Sequence, residues 1–524
     1  MPLARRPADP PACAFRSGRA CGLVAAARLR YPLREMSVTA RGMDSGPVTD
    51  SRKGQVLVVD LDGTLIATDM LYETFWAAFA RDWRTPFAAL RALAQGRAQL
   101  KAALAGRADV DVALLPFNTE ALAYVEDWRA EGGRVALVTA SDQSVAERVA
   151  EHLGLFDDVI GSDGQRNLKG EAKSALLAER FGPGRYTYMG DGPADLSVWR
   201  DADKAVTVSA PSGLRRQVEA LGGEVEHLAP SEPKIRPYLK AIRPNQWLKN
   251  VLVFLPVIAG HAAAGFTVLQ AIAAFVVFSM VASAVYVLND LLDLSADRAH
   301  PRKRERPFAA GRVPIAHGAL MAPALLLGGF LLALTLGWAF VAVMAVYFAT
   351  TTAYSLILKR LVIFDILTLA ALYTLRIVAG AVATGIPLSV WLLAFSMFFF
   401  FAMAAVKRQA ELVDGAHRGA DKAVGRGYRV SDLPMVAQMA TASGYVSVLV
   451  LVLYLNSPDV RDLYSQPFML WGMAAVLLYW LSHIFIVTHR GGMHDDPVVY
   501  AVRDRHSLVC AALIAGFAIG GTLL

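Results

Sequence analysis

The stretch Asn289-Asp290-Leu-Leu-Asp293-Leu-Ser-Ala-Asp297-Arg-Ala-His300 follows directly on an apolar run, Ala271 to Leu288. It leads at once into Pro-Arg302-Lys303-Arg304-Glu-Arg306-Pro. The apolar run is long enough for a membrane helix. If that helix continues at about 100° per residue, Asn289, Asp290, Asp293 and Asp297 fall within an arc of about 100°. Like charges crowded on one face repel, so a cation is expected among them. Oxygen-only ligands favour Mg²⁺, which shares its shell with substrate phosphates. The stretch therefore implies a Mg²⁺–diphosphate site at a membrane surface.

Around it the chain divides. It has 524 residues, 55% of them apolar, and a net charge of +7. The length allows two or three domains. Residues 50–230 read as a soluble protein, whereas 247–524 carry long apolar runs between short charged loops. Lys and Arg cluster in those loops, which fits membrane orientation and phosphate-rich ligands better than nucleic acid. The three cysteines, Cys13, Cys21 and Cys510, offer neither a disulfide framework nor metal spacing. That agrees with a reducing cytoplasm for the soluble part. Residues 1–50 are rich in Arg, Ala, Pro and Gly and are expected to be a disordered tail, with Met36 and Met43 as alternative starts.

Residues 54–230 alternate strands and helices. Gln55–Val59 is a strand ending in Asp60-Leu-Asp62-Gly-Thr, and Arg134–Val138 is a second, ending in Thr139-Ala-Ser141. Lys173 opens a later helix, and Tyr186–Met189 ends in Gly-Asp191-Gly-Pro-Ala-Asp195. Open α/β sheets place their sites at such strand C-termini. Asp60 and Asp62 leave one strand on the same side, so one can attack while the other serves as acid or base. Asp191 and Asp195 can hold Mg²⁺, and Thr139 and Lys173 can bind a phosphoryl group. Any one of these Asp residues alone would read as a turn or helix cap.

In this order the four elements resemble the motifs of the haloacid-dehalogenase-like phosphohydrolase superfamily, over about residues 54–225. The resemblance implies that Asp60 is a nucleophile forming an aspartyl-phosphate and Asp62 the general acid/base. It also implies Mg²⁺ held by Asp60, Asp62, Asp191 and Asp195. Lys169 competes with Lys173 for the motif lysine; Lys173 is preferred because it opens the helix. The insert at about 68–115 resembles a small helical cap.

Residues 226–246 form a basic, Pro-containing linker that includes Pro230, Pro233, Lys234 and Arg243. Nine apolar segments follow, at about 247–264, 268–288, 318–335, 338–357, 362–384, 388–406, 435–455, 467–487 and 507–523. Loops 289–317, 358–361, 407–432 and 488–506 hold nearly all the Lys and Arg. The positive-inside rule makes these loops cytoplasmic. The expectation is a multi-pass protein of the cell inner membrane, its N-terminal domain cytoplasmic and its C-terminus opposite.

Polar residues converge on that cytoplasmic mouth. Asp365 starts segment five, with Arg376 about three turns deeper on the same face. A charge that deep faces a cavity or a partner. Lys407, Glu411 and Asp414 share a face at the end of segment six, beside Arg408, and read equally as a salt-bridged surface. Asp495-Asp496 reads as cap and surface charge. Lys249 and Asn250 open segment one, where a phosphate could be met, or where Trp247 and Lys249 form an interfacial anchor.

Asn289-Asp290-x-x-Asp293-x-x-x-Asp297, preceded by Arg243-Pro-Asn-Gln-Trp-Leu-Lys249-Asn250 and set among about nine helices, resembles the UbiA superfamily of intramembrane prenyltransferases. The match spans about 236–524. By resemblance, Asp290, Asp293 and Asp297 hold Mg²⁺ that binds a diphosphate, with Asn289 beside them. Members that prenylate aromatic rings carry a second Asp-x-x-x-Asp motif; here Asp365 is followed at i+4 by Leu369. The single Asp365 and Arg376 instead resemble the branch that joins phosphoribosyl pyrophosphate to polyprenyl phosphate. Lys249, Asn250, Lys359, Arg360, Arg376, Lys407 and Arg408 would meet its phosphates.

The expected fold is therefore two domains. The first is an α/β Rossmann-like haloacid-dehalogenase fold with a helical cap (54–225). The second, after the linker, is an all-α polytopic membrane bundle of about nine transmembrane helices (247–524). The expected function is Mg²⁺-dependent transfer of 5-phosphoribose to a polyprenyl phosphate, followed by dephosphorylation of the product. Two alternatives are prenyl transfer from a polyprenyl diphosphate to an aromatic acceptor, and a phosphatase anchored by a non-catalytic membrane domain. Oligomeric state and lipid chain length are not legible.

Overall fold

Val56-Leu-Val-Val59 is the centre of the first half. An all-apolar strand of this kind needs both faces covered, as in a parallel sheet. Six strands form that sheet: β1 (Val56–Val59), β2 (Arg134–Asp142), β3 (Asp158–Ser162), β4 (Tyr186–Gly190), β5 (Lys204–Val208) and β6 (Glu224–Leu228). All pair in parallel, in the order β3-β2-β1-β4-β5-β6. The order reverses between β1 and β4, the switch point where such sheets open a crevice. In the computed structural model, residues 52–229, 235–261, 264–419, 421–422, 426–457, 464–493 and 496–523 are described. The expectations for residues 1–50 and for Pro230, Pro233, Lys234 and Asp495 lie outside them.

The insert after β1 is helical, as expected: α1 (Met70–Arg81), α2 (Thr85–Leu93) and α3 (Arg97–Ala105). Helices α4 (Thr119–Ala130), α5 (Gln143–Leu153), α6 (Glu171–Phe181), α7 (Leu196–Asp201) and α8 (Ser212–Glu219) complete the α/β unit. Asp69, Asn118 and Asp142 start α1, α4 and α5 by accepting backbone N–H bonds from Leu71, Glu120 and Ser144. β6 runs to Leu228, past the boundary expected at 225.

Helical elements dominate the second half. α9 (Ile235–Ala241) leads to a 3₁₀ helix, Pro244–Phe254, and α10 (Leu255–Ala259). Then come α11 (Gly265–Leu292), α12 (Leu294–Ala299), α13 (Ile315–Leu334), α14 (Trp338–Leu356), α15 (Phe364–Thr384) and α16 (Val390–His417). α17 (Leu433–Leu455), α18 (Trp471–His489), α19 (Pro497–Arg503) and α20 (Arg505–Leu523) follow. Among the described residues, eight helices are long and apolar enough to cross a membrane: α11, α13 to α18 and α20. Their outer surface keeps Phe266, Leu320, Trp338 and Phe468 more than two-thirds exposed, an apolar belt that lipid covers.

Nine such helices were expected. The segment at 247–264 is the one that falls short, and its prolines explain why. Pro244 opens it and Pro256 interrupts it, and an interior proline removes a helical hydrogen bond. Most of the segment is 3₁₀, which rises about 2 Å per residue. It still runs the length of the bundle. Arg243 reaches Asp290 at the mouth, and a Cβ on Gly260 would lie 3.4 Å from Ile386 at the other end.

The two halves share one apolar cluster. Trp76 packs with Ala241, Val287, Leu291, Leu294, Phe308, Val313 and Ile315, with Tyr72, Phe75 and Phe79 alongside. Gly311, at φ +66°, lets its loop approach Ala67; a Cβ there would meet the Ala67 carbonyl at 2.7 Å. Inside this contact Arg298 donates to both carboxylate oxygens of Glu73, at 2.6 and 3.0 Å. The two side chains are 6% and 3% exposed.

Removing one partner of a buried pair leaves an uncompensated charge, at a cost of about 3–5 kcal/mol. Glu73→Leu and Arg298→Leu are each expected to lower the thermal midpoint of the detergent-solubilised protein. The Glu73→Leu/Arg298→Leu double variant should regain most of the loss. Additive losses in the double variant would contradict the pairing.

Candidate active sites

The first site sits at the C-terminal ends of β1, β2 and β4. Lys173 lies near the start of α6 and is 2% exposed. Its Nζ is 2.8 Å from Asp60 Oδ2 and 3.7 Å from Asp195 Oδ1, and it donates to the Tyr188 hydroxyl at 2.9 Å. Burial opposes the charge on Lys173, but Asp60 and Asp195 outweigh it and hold the ammonium above its ordinary range. Lys173, rather than Lys169, is therefore the lysine in contact with Asp60. Tyr188 passes a 2.7 Å hydrogen bond on to Asp195.

Carboxylate oxygens of Asp60, Asp191 and Asp195 lie within 4.8 Å of one another. Burial, then repulsion from Asp60 and Asp195, drives the Asp191 carboxyl well above the usual range. Crowded oxygen ligands of this kind fit Mg²⁺. Gly63, at φ +75°, is required beside them, because a Cβ there would lie 2.2 Å from Asp191 Oδ2.

Two expected residues lie elsewhere in the site. Asp62 does not join the metal-ligand set. Its carboxylate accepts from Ser141 Oγ at 2.5 Å and from the Met70 N–H at 2.7 Å. Burial and then Asp69 push its carboxyl up to about 7, a value suited to acid and base work. The Thr139 side chain is fully buried and accepts the Ser141 N–H at 3.0 Å. It shapes the strand end and does not line the cavity, which takes Ala140 instead. The cavity holds about 840 Å³ and is walled by Asp60, Asp62, Lys173, Asp191 and Asp195, by the cap and by Pro314, Ile315 and Ala316 at the start of α13. Lys101 of α3, not anticipated from sequence, crosses it to the Ala140 carbonyl and to Asn167 Oδ1.

The second site is the mouth of the bundle. The helix does not continue through all four acidic-motif positions: α11 ends at Leu292 and Asp293 is the junction with α12. Asp293 is consequently exposed, while Asp290 and Asp297 are each 2% exposed. Both accept from Arg306 Nη1, at 3.3 and 2.5 Å, and Asp290 also accepts from Arg243. The cation expected between the carboxylates is thus supplied by an arginine of the basic run that follows. Two carboxylates converging on one cation position also fit a divalent ion. Asn289 donates to Ser355 Oγ of α14 at 3.0 Å. Lys359 is half-buried in the α14–α15 turn; burial lowers its ammonium, with Asp293 opposing.

Deeper groups pair with each other. Arg376 donates to Asn250 Oδ1 at 3.0 Å, to the Tyr347 hydroxyl at 3.1 Å and to the Leu372 carbonyl. Asn250 donates to Ser279 Oγ. Asp365 and Arg408 form an ion pair at 2.7 Å with both side chains at 0% exposure. Tyr354 and Arg426 also reach Asp365, and Glu411 takes another nitrogen of Arg408. Arg408 is therefore a buried structural partner, not an open phosphate site as expected.

Lys407, Glu411 and Asp414 do not bridge one another. Lys407 and Lys249 both lie 2.9 Å from Asp496 Oδ2, and Asp414 pairs with Arg418. Burial opposes ionisation of Asp496, but Lys407 and then Lys249 hold its carboxyl below the usual range. Asp496 also caps α19 through the Val498 N–H. The cap was legible before Pro497; the double lysine contact was not, since its partners are 247 and 89 residues away. These groups border a second cavity of about 590 Å³, lined by His300, Arg302, Lys407, Glu411, Arg418 and Asp496 among others.

Known protein families resemble each of the two parts. Residues 57–200 match the haloacid dehalogenase-like hydrolase family and 251–500 the UbiA prenyltransferase family. The chain is 39% identical to uncharacterized protein y4nM of Sinorhizobium fredii, over 88% of this chain and 89% of that one. It is 39% identical to nodulation protein NoeC of Azorhizobium caulinodans, over 54% of this chain and 91% of that one. It is 36% identical to the decaprenyl-phosphate phosphoribosyltransferase of Mycobacterium tuberculosis, over 51% of this chain and 88% of that one. The chain belongs to the UbiA prenyltransferase family and carries a haloacid dehalogenase-like hydrolase domain ahead of its membrane bundle.

Proposed function

We propose that the membrane domain transfers 5-phosphoribose from phosphoribosyl pyrophosphate to a polyprenyl phosphate, and that the upstream domain then removes the sugar 5-phosphate. The observation that carries the first half is the buried Asp365–Arg408 pair. The one carboxylate near the place of a second acidic motif is neutralised within the protein. Among the described residues, the Asp290–Asp297 cluster is then the acidic motif left for a diphosphate. The phosphoribosyltransferase relative supports the same reading.

In the transfer, the ribose C1–O bond to diphosphate breaks, and a lipid phosphate oxygen bonds to C1. That oxygen is already ionised at neutral pH, so no general base is needed. Mg²⁺ held by Asp290, Asp293 and Asp297 would neutralise the departing diphosphate. Arg306 and Arg243 hold that charge balance from the protein side. Lys249, Lys359 and Lys407 would meet the remaining phosphates, with Arg376 bound to Asn250 next to Lys249.

In the hydrolysis, Asp60 attacks phosphorus and the sugar 5-oxygen leaves with the proton of Asp62. Water then attacks the aspartyl-phosphate and returns its proton to Asp62. Asp191 and Asp195 would hold Mg²⁺, which offsets phosphoryl charge, and Lys173 keeps Asp60 aimed. The hydrolase unit, which runs on to Leu228, and the mouth of the transferase unit share one face of the cell inner membrane in this reading. That face is cytoplasmic by loop charge, with the C-terminus opposite.

Membranes given ribose-labelled phosphoribosyl pyrophosphate and polyprenyl phosphate are expected to form labelled lipid. Asp290→Asn should lower that labelling by about a hundredfold or more. Labelling at the wild-type rate in Asp290→Asn would refute the site. Asp60→Asn should label lipid normally but accumulate the 5-phosphorylated form; an unchanged ratio of the two lipids would reject the second step. Asp62→Asn should slow phosphate release about 10²–10⁴-fold at unchanged transfer, as read by inorganic phosphate assay. Chelation of divalent ions should stop both reactions.

A further inference from the structure

Helix α2 turns an apolar face outward that no described residue covers. Trp83, Phe87, Leu90 and Leu93 are 67%, 65%, 66% and 46% exposed. At about 100° per residue Phe87, Leu90 and Leu93 occupy one arc of about 120°, and the Trp83 ring, just before the helix, meets Phe87 edge-on at 6.2 Å. Thr85 and Ala92, on the opposite face, are buried. Arg84 and Arg91 fall beside the apolar arc, and exposed Arg97 follows at the start of α3. No carboxylate occurs between Trp83 and Lys101. An apolar stripe with arginines beside it and a tryptophan at its end has the form of a helix lying in a membrane interface.

The position of α2 favours the same occupant. Its neighbour α1 packs on the ends of α11 and α13 through the Trp76 cluster. The cavity holding Asp60, Asp62 and Lys173 is walled on one side by Leu93, Arg97, Leu100 and Lys101 of the cap. On another side it is walled by Pro314, Ile315 and Ala316. Ile315 is the first residue of a membrane-crossing helix. A cavity that touches both Leu93 and Ala316 therefore opens at the bilayer surface. Lys101 ties α3 to the cavity floor, so the cap is fixed over this opening.

We propose that α2 lies in the headgroup layer of the bilayer and that the hydrolase cavity receives a phosphate monoester borne on a membrane lipid, entering between the cap and the start of α13. This rests on the phosphatase reading above and adds the membrane docking of the cap and the route by which the lipid-borne phosphate enters. The cations of α2 and α3 face anionic headgroups, and Arg97 and Lys101 sit where the arriving phosphate passes. Hydrolysis consumes one water and yields inorganic phosphate and a lipid-linked hydroxyl.

The docking half is tested without activity. The full chain, with its three cysteines replaced by serine and Phe87→Cys carrying a bimane label, is placed in nanodiscs. Quenching by brominated acyl chains, with protection from aqueous iodide, is expected. Quenching by iodide alone would overturn the docking, as would protection from both quenchers, which would indicate a covering protein surface. The substrate half compares synthetic polyprenylphosphoryl 5-phosphoribose in the nanodisc with soluble p-nitrophenyl phosphate. Leu90→Glu should slow the lipid substrate about tenfold and leave the soluble one unchanged. Equal rates on the lipid substrate would overturn the entry route, even with the label quenched. Hydrolysis of neither substrate by the unsubstituted chain would overturn the phosphatase reading itself, while the quenching result still decides the docking.

Discussion

The bidentate ion pair between Glu73 and Arg298 is the contact on which the arrangement of the two halves depends. Glu73 sits on α1, whose first N–H, from Met70, holds the Asp62 carboxylate. Arg298 follows Asp297, which shares Arg306 with Asp290. One buried pair thus joins the frame of the phosphohydrolase site to the frame of the acidic motif. A buried ion pair is weak evidence for added stability. Its value here is positional, since two charges that cannot be left alone fix α1 in one register against α12.

The mouth of the bundle follows the same logic. Most deeply buried charges described there have a partner of opposite sign: Asp365 has Arg408, Asp290 and Asp297 have Arg306, and Lys249 and Lys407 share Asp496; Arg376 is held instead by the neutral oxygens of Asn250, Tyr347 and Leu372. Low dielectric makes an unpaired charge costly, so a set of mutually neutralised groups can stand at membrane depth. In the proposed transfer, a phosphate-rich substrate with its divalent ions would exchange into such a set, because it offers both signs of charge. The most buried pair, Asp365–Arg408, is the least able to exchange and serves as framework.

Much of this was legible in the sequence. β1 and the Asp60–Asp62 turn, the cap helices and Lys173 follow from local pattern. So do the membrane helices, because hydrophobic period and turn chemistry act over a few residues. Pro256 was visible, yet its consequence, a 3₁₀ segment in place of a ninth long helix, was not drawn. Pairings across the chain were out of reach. Nothing near Glu73 names Arg298, 225 residues away, although a lone carboxylate among Met70, Leu71, Phe75 and Trp76 signals some buried partner. Arg408 beside Lys407 read as a phosphate ligand because adjacent cations look alike. The helix turns one towards Asp365 and the other towards Asp496.

Both sites are taken to act in sequence on one lipid from one face of the membrane. The most direct measurement follows two labels through the unsubstituted protein. Phosphoribosyl pyrophosphate carrying ³²P at the 5-phosphate and ¹⁴C in the ribose is incubated with polyprenyl phosphate, and the lipid and aqueous fractions are counted over time. The expected result is lipid that gains ¹⁴C and loses ³²P, with the missing ³²P recovered as inorganic phosphate. Lipid that keeps both labels in their input ratio throughout would contradict sequential action.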